Sequence, residues 1–381
     1  MPLDSLLRTV RLVSGLALLA FVTAHLSNLI LGLHSLEAMQ RWCSTLLWPW
    51  QTPWGERVLA ASAVIHALLG LYAIAARRSL ALSRTDAVQL ALGLSVPPLL
   101  ITHVLAMRVT GELTRDFSGD YGFILAFYWS YAPFYAFQQL LAVVAVWIHG
   151  ALGLYSWLVL KPAWRKIGGL LLPLLFIVPL LSLIGFAESG KEVLAKLASD
   201  PAWKAEITAN VGRASSVAQR LAEIQSNVLT IYAALLTLAV FILCARIVAN
   251  RMKPVSIVYD TGEIATGRRG LSILELSLLN RVPHAHVCSG RGRCGTCRVR
   301  VSGTANLLNR VDETERRMLA RLDAAPDVRL ACKARVLGGG LMVTRLLPAY
   351  ADADAARDPM RWEEEHRLHE HGLDAAAEQP A

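Results

Sequence analysis

The sequence predicts an all-α bundle of six transmembrane helices followed by a small α+β soluble domain. The chain has 381 residues, of which 54% are hydrophobic, and its mean hydropathy is +0.43. These values exceed those of ordinary soluble domains and indicate several membrane spans plus a smaller soluble part. From Pro254 onward the long apolar segments give way to short alternating ones. We therefore predict a membrane domain over residues 1–253 and a soluble domain over residues 254–350.

Six segments are long and apolar enough to cross a bilayer, because a hydrocarbon core of about 30 Å needs about 20 helical residues. They lie at residues 9–33, 56–76, 86–108, 133–160, 167–187 and 226–249. The first is longer than the apolar part of a signal peptide and has no clear cleavage site, so we expect it to be retained. The region 188–225 is predicted to be helical and amphipathic.

Lysines and arginines predict the orientation, because short cytoplasmic loops are enriched in both. If the six helices alternate in direction, the basic clusters fall on one side. They are Arg8 and Arg11; Arg77, Arg78 and Arg84; Lys161, Arg165 and Lys166; and Arg246, Arg251 and Lys253. That side is predicted to be the cytoplasm, which places both termini and the soluble domain there and the protein in the inner (cytoplasmic) membrane, among lipid. Since these residues account for much of the net charge of +9 and no nucleic-acid-binding motif is present, no nucleic-acid partner is expected.

The soluble domain shows strand and helix patterns in alternation. "VSIVYDTGEIATG" predicts two strands with a turn at Thr261–Gly262, and "CRVRVSG" predicts a third strand. "SILELSLLNR" has helical spacing, and "DETERRMLARL" predicts a short helix that begins near Asp312. The remaining residues, 351–381, are rich in alanine and charge and are predicted to form a disordered tail. Its histidines are expected to be solvated rather than metal-bound; they are His366, His369 and His371.

Four of the six cysteines share the soluble domain, whereas Cys43 and Cys244 stand alone and are expected to be ordinary. The four are Cys288, Cys294, Cys297 and Cys332, with spacing C-x5-C-x2-C and a distant fourth residue. Three thiolates on one loop and a fourth from elsewhere suit a 2Fe-2S cluster, because four thiolates must hold two irons. A structural zinc site usually has two C-x2–4-C pairs, and a redox dithiol would leave two of the four cysteines unexplained. Both alternatives are therefore less favoured.

Glycines and arginines alternate within the cysteine loop. Gly290, Gly292 and Gly295 are expected to let the backbone curl and turn its N–H groups toward the sulfurs. Arg291 and Arg293 are either solvated charges or a docking edge for an acidic partner.

The segment from Cys288 to Cys332, preceded by the helix "GLSILELSLLNRVP", resembles the 2Fe-2S ferredoxins of the β-grasp fold. The resemblance covers about 95 residues. Its first gap of five residues is closer to the adrenodoxin-like branch than to the plant type, which has four. A ferredoxin-like 2Fe-2S domain implies one-electron transfer and leaves the donor and acceptor open.

Four histidines lie in predicted membrane helices, one in each of the first four: His25, His66, His103 and His149. A polar ring in hydrocarbon is costly, so each is either a functional residue or a satisfied core histidine facing the bundle interior. At 1.5 Å per residue, His25 and His103 lie about 25–28 Å from the basic end of their helices, and His66 and His149 about 18 Å. Two pairs at two matched depths on alternate helices predict two bis-histidine haem b groups.

Small residues lie near these histidines along the helices. They are Gly15, Gly32, Gly70, Gly150 and Gly153. We expect them either to let a flat macrocycle approach the backbone or to promote plain helix packing.

One histidine on each of four consecutive helices resembles the dihaem cytochrome b anchors of succinate dehydrogenases and fumarate reductases. Over residues 1 to about 350 the chain resembles more closely the six-helix anchors of bacterial membrane-bound adenylate cyclases, where a 2Fe-2S ferredoxin domain and then a cyclase domain follow. This second resemblance rests on both the four histidines and "CSGRGRCGTC". Because a cyclase domain is several times longer than the segment after Tyr350, no adenylate cyclase catalytic domain is expected.

Two functions of different classes follow. The first is electron transfer between a quinone pool, two b-type haems and a cytoplasmic 2Fe-2S cluster, as in a quinol-linked oxidoreductase with a soluble electron partner. The aromatic stretch "YWSYAPFYAF" from Tyr128 is then either a rim of the outer haem or an interfacial anchor. The second is a redox-sensing input module for an adenylate cyclase on another chain. A third interpretation is that the chain is a fragment of a longer signalling enzyme, and a homodimer is also an open alternative. No set of residues suited to bond-making catalysis is visible.

Overall fold

The computed structural model describes residues 3–80, 82–114, 117–249, 254–303, 305–362 and 364. Two compact units divide the chain. The first comprises residues 1–74, 87–154 and 167–239, and the second comprises residues 75–86, 155–166 and 240–381. The second unit therefore includes, besides the soluble domain, two segments between helices with the adjoining helix ends, and the end of the last long helix.

The chain from Leu3 to Ala249 is largely helical. In chain order the α-helices are α1 (Leu3–Ile30), α2 (Leu36–Leu46), α3 (Trp48–Gln51), α4 (Pro53–Ala75), α5 (Arg84–Val104), α6 (Thr110–Leu113), α7 (Tyr121–Ala126), α8 (Pro133–Leu158), α9 (Trp164–Ser199), α10 (Pro201–Ser216) and α11 (Ala218–Ala249). A 3-10 turn, Leu31–Leu33, extends α1, and π-helical segments follow α5 and α7 at Leu105–Val109 and Phe127–Tyr131.

Within the described ranges, six helices are long and apolar enough to cross a membrane. They are Leu6–Leu33, Pro53–Ala75, Arg84–Leu113, Pro133–Leu158, Trp164–Ser199 and Ala218–Ala249. Each predicted span lies inside one of them, apart from one or two residues at two ends. These helices indicate a multi-pass membrane protein. The predicted helical character of 188–225 is also confirmed, as the end of α9, all of α10 and the start of α11.

A proline in α5 and two glycines, in α9 and in the 3-10 turn after α1, fit these elements to their neighbours. Because Pro98 has no N–H, the carbonyl of Leu94 one turn earlier is free, and it accepts a hydrogen bond of 2.8 Å from the Tyr232 hydroxyl. A Cβ on Gly185 would come within 2.1 Å of the Leu29 carbonyl oxygen, and one on Gly32 within 2.6 Å of the Gly185 carbonyl oxygen. Gly32 therefore lets α1 and α9 approach closely, as the helix-packing alternative predicts.

The soluble domain is a five-stranded mixed sheet with short helices. Its strands are β1 (Pro254–Tyr259), β2 (Ile264–Arg268), β3 (Arg298–Ser302), β4 (Val328–Leu330) and β5 (Leu341–Arg345), and its helices are α12 (Ile273–Leu279), α13 (Glu313–Arg321) and α14 (Ala353–Arg357). The strand order is β2-β1-β5-β3-β4, with β1 and β5 parallel and the other pairs antiparallel. The predicted α+β domain is confirmed.

A turn glycine and two N-terminal caps set the ends of strands and helices in this domain. Gly262 has φ +86°, as the turn between β1 and β2 requires. Ser272 and Glu275 form a capping box at the start of α12, and Asp312 caps α13 through the Glu315 N–H. These caps fix the two helices that flank the cysteine loop in sequence.

A buried ion pair links α13 to β4. Glu315 is fully buried and accepts hydrogen bonds from Arg329 Nε at 2.8 Å and Nη2 at 3.0 Å, and from the Leu330 N–H at 2.9 Å. Replacing Glu315 with glutamine should destabilise the soluble domain by about 3–5 kcal/mol, because the guanidinium stays buried without its counter-charge. Amide hydrogen exchange in β4 should then accelerate more than about a hundredfold.

Glu313→Gln is the matched control for this prediction. Glu313 pairs with Arg316 and Arg317 on the solvent side of α13, where ion pairs contribute less than about 1 kcal/mol. Equal exchange rates in the two variants would show that the buried pair does not hold the domain.

The segment after Tyr350 corrects the predicted disordered tail. Asp352 caps α14 through two N–H groups. Ala351, Ala355 and Trp362 are buried in one small cluster with Ala285 and Leu347. Residues 351–362 are therefore part of the fold. Residues 365–381 of the predicted tail, with its three histidines, lie outside the described residues, as do Arg251 and Lys253.

Candidate functional site

The cysteine loop connects α12 to β3 and presents three buried thiols. Cys288, Cys294 and Cys297 are 1–2% exposed, and Cys332, in the turn after β4, is 8% exposed. Ser289 and the predicted loop glycines have positive φ angles of 51–76°, so the loop curls as expected; the glycines are Gly290, Gly292 and Gly295. A Cβ on Gly290 would come 3.7 Å from the Cβ of Cys332, which shows how closely the loop approaches the fourth cysteine.

The four thiols interact with one another. The strongest interactions join Cys288 with Cys294 and Cys297 with Cys332, and Cys297 also interacts with Cys288 and Cys294. Among the described residues, no three Cys, His, Asp or Glu side chains converge closely enough to hold a single metal ion. Two pairs match the requirement of a 2Fe-2S cluster, in which each of two irons takes two thiolates.

Hydrogen bonds prepare one sulfur of the loop for ionisation. The bond from the Cys294 thiol, against the effect of burial, lowers the pKa of Cys288 to about 5, and backbone N–H groups of the loop add to this. The same bond, together with burial, raises the pKa of Cys294. N–H groups aimed at sulfur are expected around a cluster whose reduced form carries extra negative charge.

The loop contacts other segments of its own unit. Arg291 Nη2 lies 3.4 Å from a carboxylate oxygen of Asp86, and both side chains are largely buried. Arg293 Nη2 lies 3.5 Å from the carbonyl oxygen of Ser156, and the Ser79 hydroxyl donates to Glu275 at 3.0 Å. Arg291 therefore contacts the first turn of α5 and Arg293 the last turn of α8, and a role of these two residues in docking an acidic partner stays a prediction.

The four membrane histidines form two pairs in the first unit. The ring centres of His25 and His103 are 6.1 Å apart with planes tilted by 54°. Those of His66 and His149 are also 6.1 Å apart, with planes at 87°. The structure thus pairs the first helix span with the third and the second with the fourth, which is the pairing predicted from depth.

Three of the four imidazoles are oriented through Nδ1. His66 Nδ1 lies 3.1 Å from the Arg11 carbonyl oxygen, and His149 Nδ1 lies 2.9 Å from the Gln89 carbonyl oxygen. His103 Nδ1 lies 3.1 Å from the buried Tyr128 hydroxyl. The Nδ1 atom of His25 is buried and has no partner among the described residues.

Two glycines make room for the rings of one pair. A Cβ on Gly15 would come 2.8 Å from Cε1 of His66, and one on Gly93 would come 2.6 Å from Cε1 of His149. Each glycine follows the carbonyl partner of the same histidine by one helical turn: Gly15 follows Arg11, and Gly93 follows Gln89. In each case one helical turn supplies the carbonyl that contacts Nδ1 of the histidine and the glycine against which the imidazole ring lies.

This repeated arrangement changes the roles expected of the glycines. Gly15 lies against an imidazole rather than making space for a macrocycle directly. Gly93 was missed, although its position one turn after a polar residue in an apolar segment was visible. Gly150 faces Leu19, Gly153 faces Gln89, and Gly70 has no neighbour within 4 Å among the described residues.

A pocket of about 370 Å³ lies between α5, α8 and the start of α11. Its wall includes Thr102, the neighbour of His103, and aromatic residues of the stretch predicted to rim this histidine, among them Phe134 and Tyr135. Gln138 also lines it and donates to the Leu99 carbonyl oxygen at 2.9 Å. The lining is mainly apolar with a few polar groups, as is typical of small-molecule sites.

Comparisons with known proteins concern the soluble domain. A family model described as a 2Fe-2S iron-sulfur cluster binding domain matches residues 258–337, which contain all four paired cysteines. The crystal structure of the ISC-like 2Fe-2S ferredoxin FdxB from Pseudomonas putida is 26% identical, covering 26% of this chain and 94% of that chain, with a TM-score of 0.23. No curated protein matches the chain. The soluble domain thus has a 2Fe-2S ferredoxin fold, which gives this membrane protein the capacity for iron–sulfur electron transfer.

Proposed function

We propose that the chain is a membrane-bound electron-transfer protein that holds two b-type haems in its helix bundle and a 2Fe-2S cluster in its soluble domain, and that exchanges electrons with a quinone or quinol. The observation that carries the proposal is the presence of two histidine pairs with equal ring separations of 6.1 Å. Bound at these residues, haem and the cluster would supply one-electron chemistry.

The spacing of each pair supports haem ligation. Two imidazoles on opposite sides of one metal, each with its nitrogen about 2 Å away, have ring centres about 6 Å apart. Imidazoles that only pack against each other in a core are not expected to show this same separation in two independent pairs. The separation of 6.1 Å in both pairs therefore favours a metal bound between the two imidazoles of each pair over direct packing of the rings in a protein core.

The Nδ1 contacts support the same role. A ligating histidine usually donates its second ring N–H to a carbonyl or another acceptor, which fixes the ring and its tautomer. Arg11 and Gln89 supply such carbonyls to His66 and His149, so Nε2 of each ring remains for iron. The His25–His103 pair has one comparable contact, from Tyr128. We expect the His66–His149 pair to be the more rigid of the two.

The soluble domain supports the third centre. Cys288 and Cys294 would hold one iron, and Cys297 and Cys332 the other, because these are the pairs that the fold brings together. The chain's own contribution is to bury the sulfurs and to supply N–H groups. The positive-inside distribution of arginine and lysine supports a cytoplasmic position for this domain in the inner membrane.

The pocket beside His103 supports a quinone or quinol as the exchanging molecule. Phe134 and Phe137 are 72% and 58% exposed on a membrane-spanning helix, so the entrance faces lipid. An aromatic wall suits a flat ring, and Thr102 and Gln138 offer hydrogen bonds to ring oxygens. A water-soluble donor would not be expected to enter through such a surface.

Replacing Gln138 with leucine tests the quinone site. We expect quinol-dependent reduction of the haem to slow about tenfold, because a hydrogen-bond partner of the quinol ring oxygen is lost. Reduction by dithionite should be unchanged. The measurement is stopped-flow absorbance of the purified protein, with Gln51→Leu, an exposed glutamine in α3, as the control. Equal quinol rates in both variants would place the quinone elsewhere.

The same preparation separates the proposal from the redox-sensing alternative for an adenylate cyclase on another chain. Sustained quinol oxidation with a soluble electron acceptor supports an electron-transfer protein. A single reduction without turnover, whatever acceptor is offered, supports a sensor whose output is a contact with an effector.

A further inference from the structure

The segment after β5 packs against two cysteines of the cysteine loop. Ala356, in α14, is 4% exposed and shares one buried cluster with Cys288 and Cys294. Leu160 and Val287 pack against the same cluster. Ala356 therefore packs with Cys288 and Cys294, between the cysteine loop and the segment that follows α8.

Charged groups fix α14 to that interhelical segment. Arg165 donates to Asp354 Oδ1 from Nε at 3.2 Å and from Nη2 at 2.9 Å. Arg357 donates to the same oxygen at 2.7 Å and, through Nη1, to the Val159 carbonyl oxygen at 3.1 Å. The Arg357 side chain is only 10% exposed, whereas Asp354 and Arg165 are 47% and 50% exposed, so the attachment is shielded from solvent on its Arg357 side.

The other side of the segment is fixed to the start of the cysteine loop. Trp362 and Ala355 are buried with Ala285, three residues before Cys288, and with Leu347. Residues 351–362 therefore contact both the loop and the interhelical segment, although nothing in their composition predicts a folded element.

We propose that residues 351–362 are a positioning element that closes the cysteine loop against the segment after α8 and excludes water from the sulfurs of Cys288 and Cys294. The consequence for electron transfer rests on the proposed function. A cluster held there gains negative charge on reduction, and water stabilises that charge. Shielding by Ala356 keeps the reduced form less favourable than it would be in an exposed loop, and it also protects the iron from chelators.

Ala356→Phe tests the element directly, because the larger ring cannot occupy the methyl site and must displace α14. In the full-length protein we expect the cluster reduction potential, measured by EPR-monitored titration, to rise. Loss of cluster absorbance in excess chelator should accelerate about tenfold. Met360→Phe is the matched control, since Met360 lies in the same segment and is 82% exposed. It should behave as the unaltered protein does.

Asp354→Asn is a second test, which is needed because the Ala356→Phe variant could misfold. It removes the carboxylate that binds Arg165 and Arg357 without adding bulk, and we expect chelator-dependent loss to accelerate about threefold. Unaltered potential and unaltered cluster loss in both variants would overturn the positioning role. Absence of any cluster from the unaltered protein would instead overturn the proposed function, so the two failures are distinguishable.

Discussion

Replacing Cys332 with serine should abolish the EPR signal of the reduced 2Fe-2S cluster while leaving the haem content unchanged. Cys332 is the member of the set that comes from outside the cysteine loop, and it pairs with Cys297. Without it one iron loses half of its thiolate ligands. The measurement is low-temperature EPR of the dithionite-reduced protein, which should lose its rhombic signal.

Cys244→Ser provides the control for this change. Cys244 is a free cysteine that is exposed on α11, so its replacement should leave the signal intact. If the signal survives in the Cys332 variant at full intensity, Cys332 is not a ligand and the assignment of the pairs fails.

Replacing His103 with alanine should remove about half of the bound haem. The ring of His103 faces His25 at 6.1 Å, and a single imidazole with an empty position opposite cannot hold a low-spin haem firmly. The His66–His149 pair should keep its haem, because its orienting contacts come from Arg11 and Gln89 and do not involve His103. The haem-to-protein ratio of the purified variant measures the effect.

His34→Ala is the matched control for the haem prediction. His34 is an exposed histidine that ends the 3-10 turn after α1, and it is not a member of either pair. We expect its replacement to leave the haem content unchanged. If the haem-to-protein ratio is also unchanged in the His103 variant, the proposal that His25 and His103 hold a haem between the first and third membrane spans is wrong.

The sequence predicts the membrane part well because the relevant physics is local. A helix rises by a constant amount per residue, so counting from basic ends was sufficient to match the depths of the four histidines. The ring separations and the Nδ1 partners could not be predicted in this way. Gly93 acquires its role only because α5 and α8 cross at His149, and that crossing depends on side chains from both helices.

Contacts between distant segments also could not be predicted at the C-terminal end of the soluble domain. Strand alternation and the helical spacing of α12 are local signals, and both were confirmed. Residues 351–362 are rich in alanine and charge, which is a composition typical of disorder. They fold because Ala355 and Ala356 fill spaces that other segments create. Arg291 likewise finds its carboxylate in a distant segment, at Asp86.

The central claim is that one chain binds two bis-histidine haems and one 2Fe-2S cluster. The most direct test is an optical and EPR redox titration of the purified protein, with haem and iron quantified per chain. We predict two low-spin b-type haem transitions, one rhombic iron–sulfur signal on reduction, and reduction of the haem by added quinol. A protein that contains the iron–sulfur cluster but no low-spin haem would contradict the account.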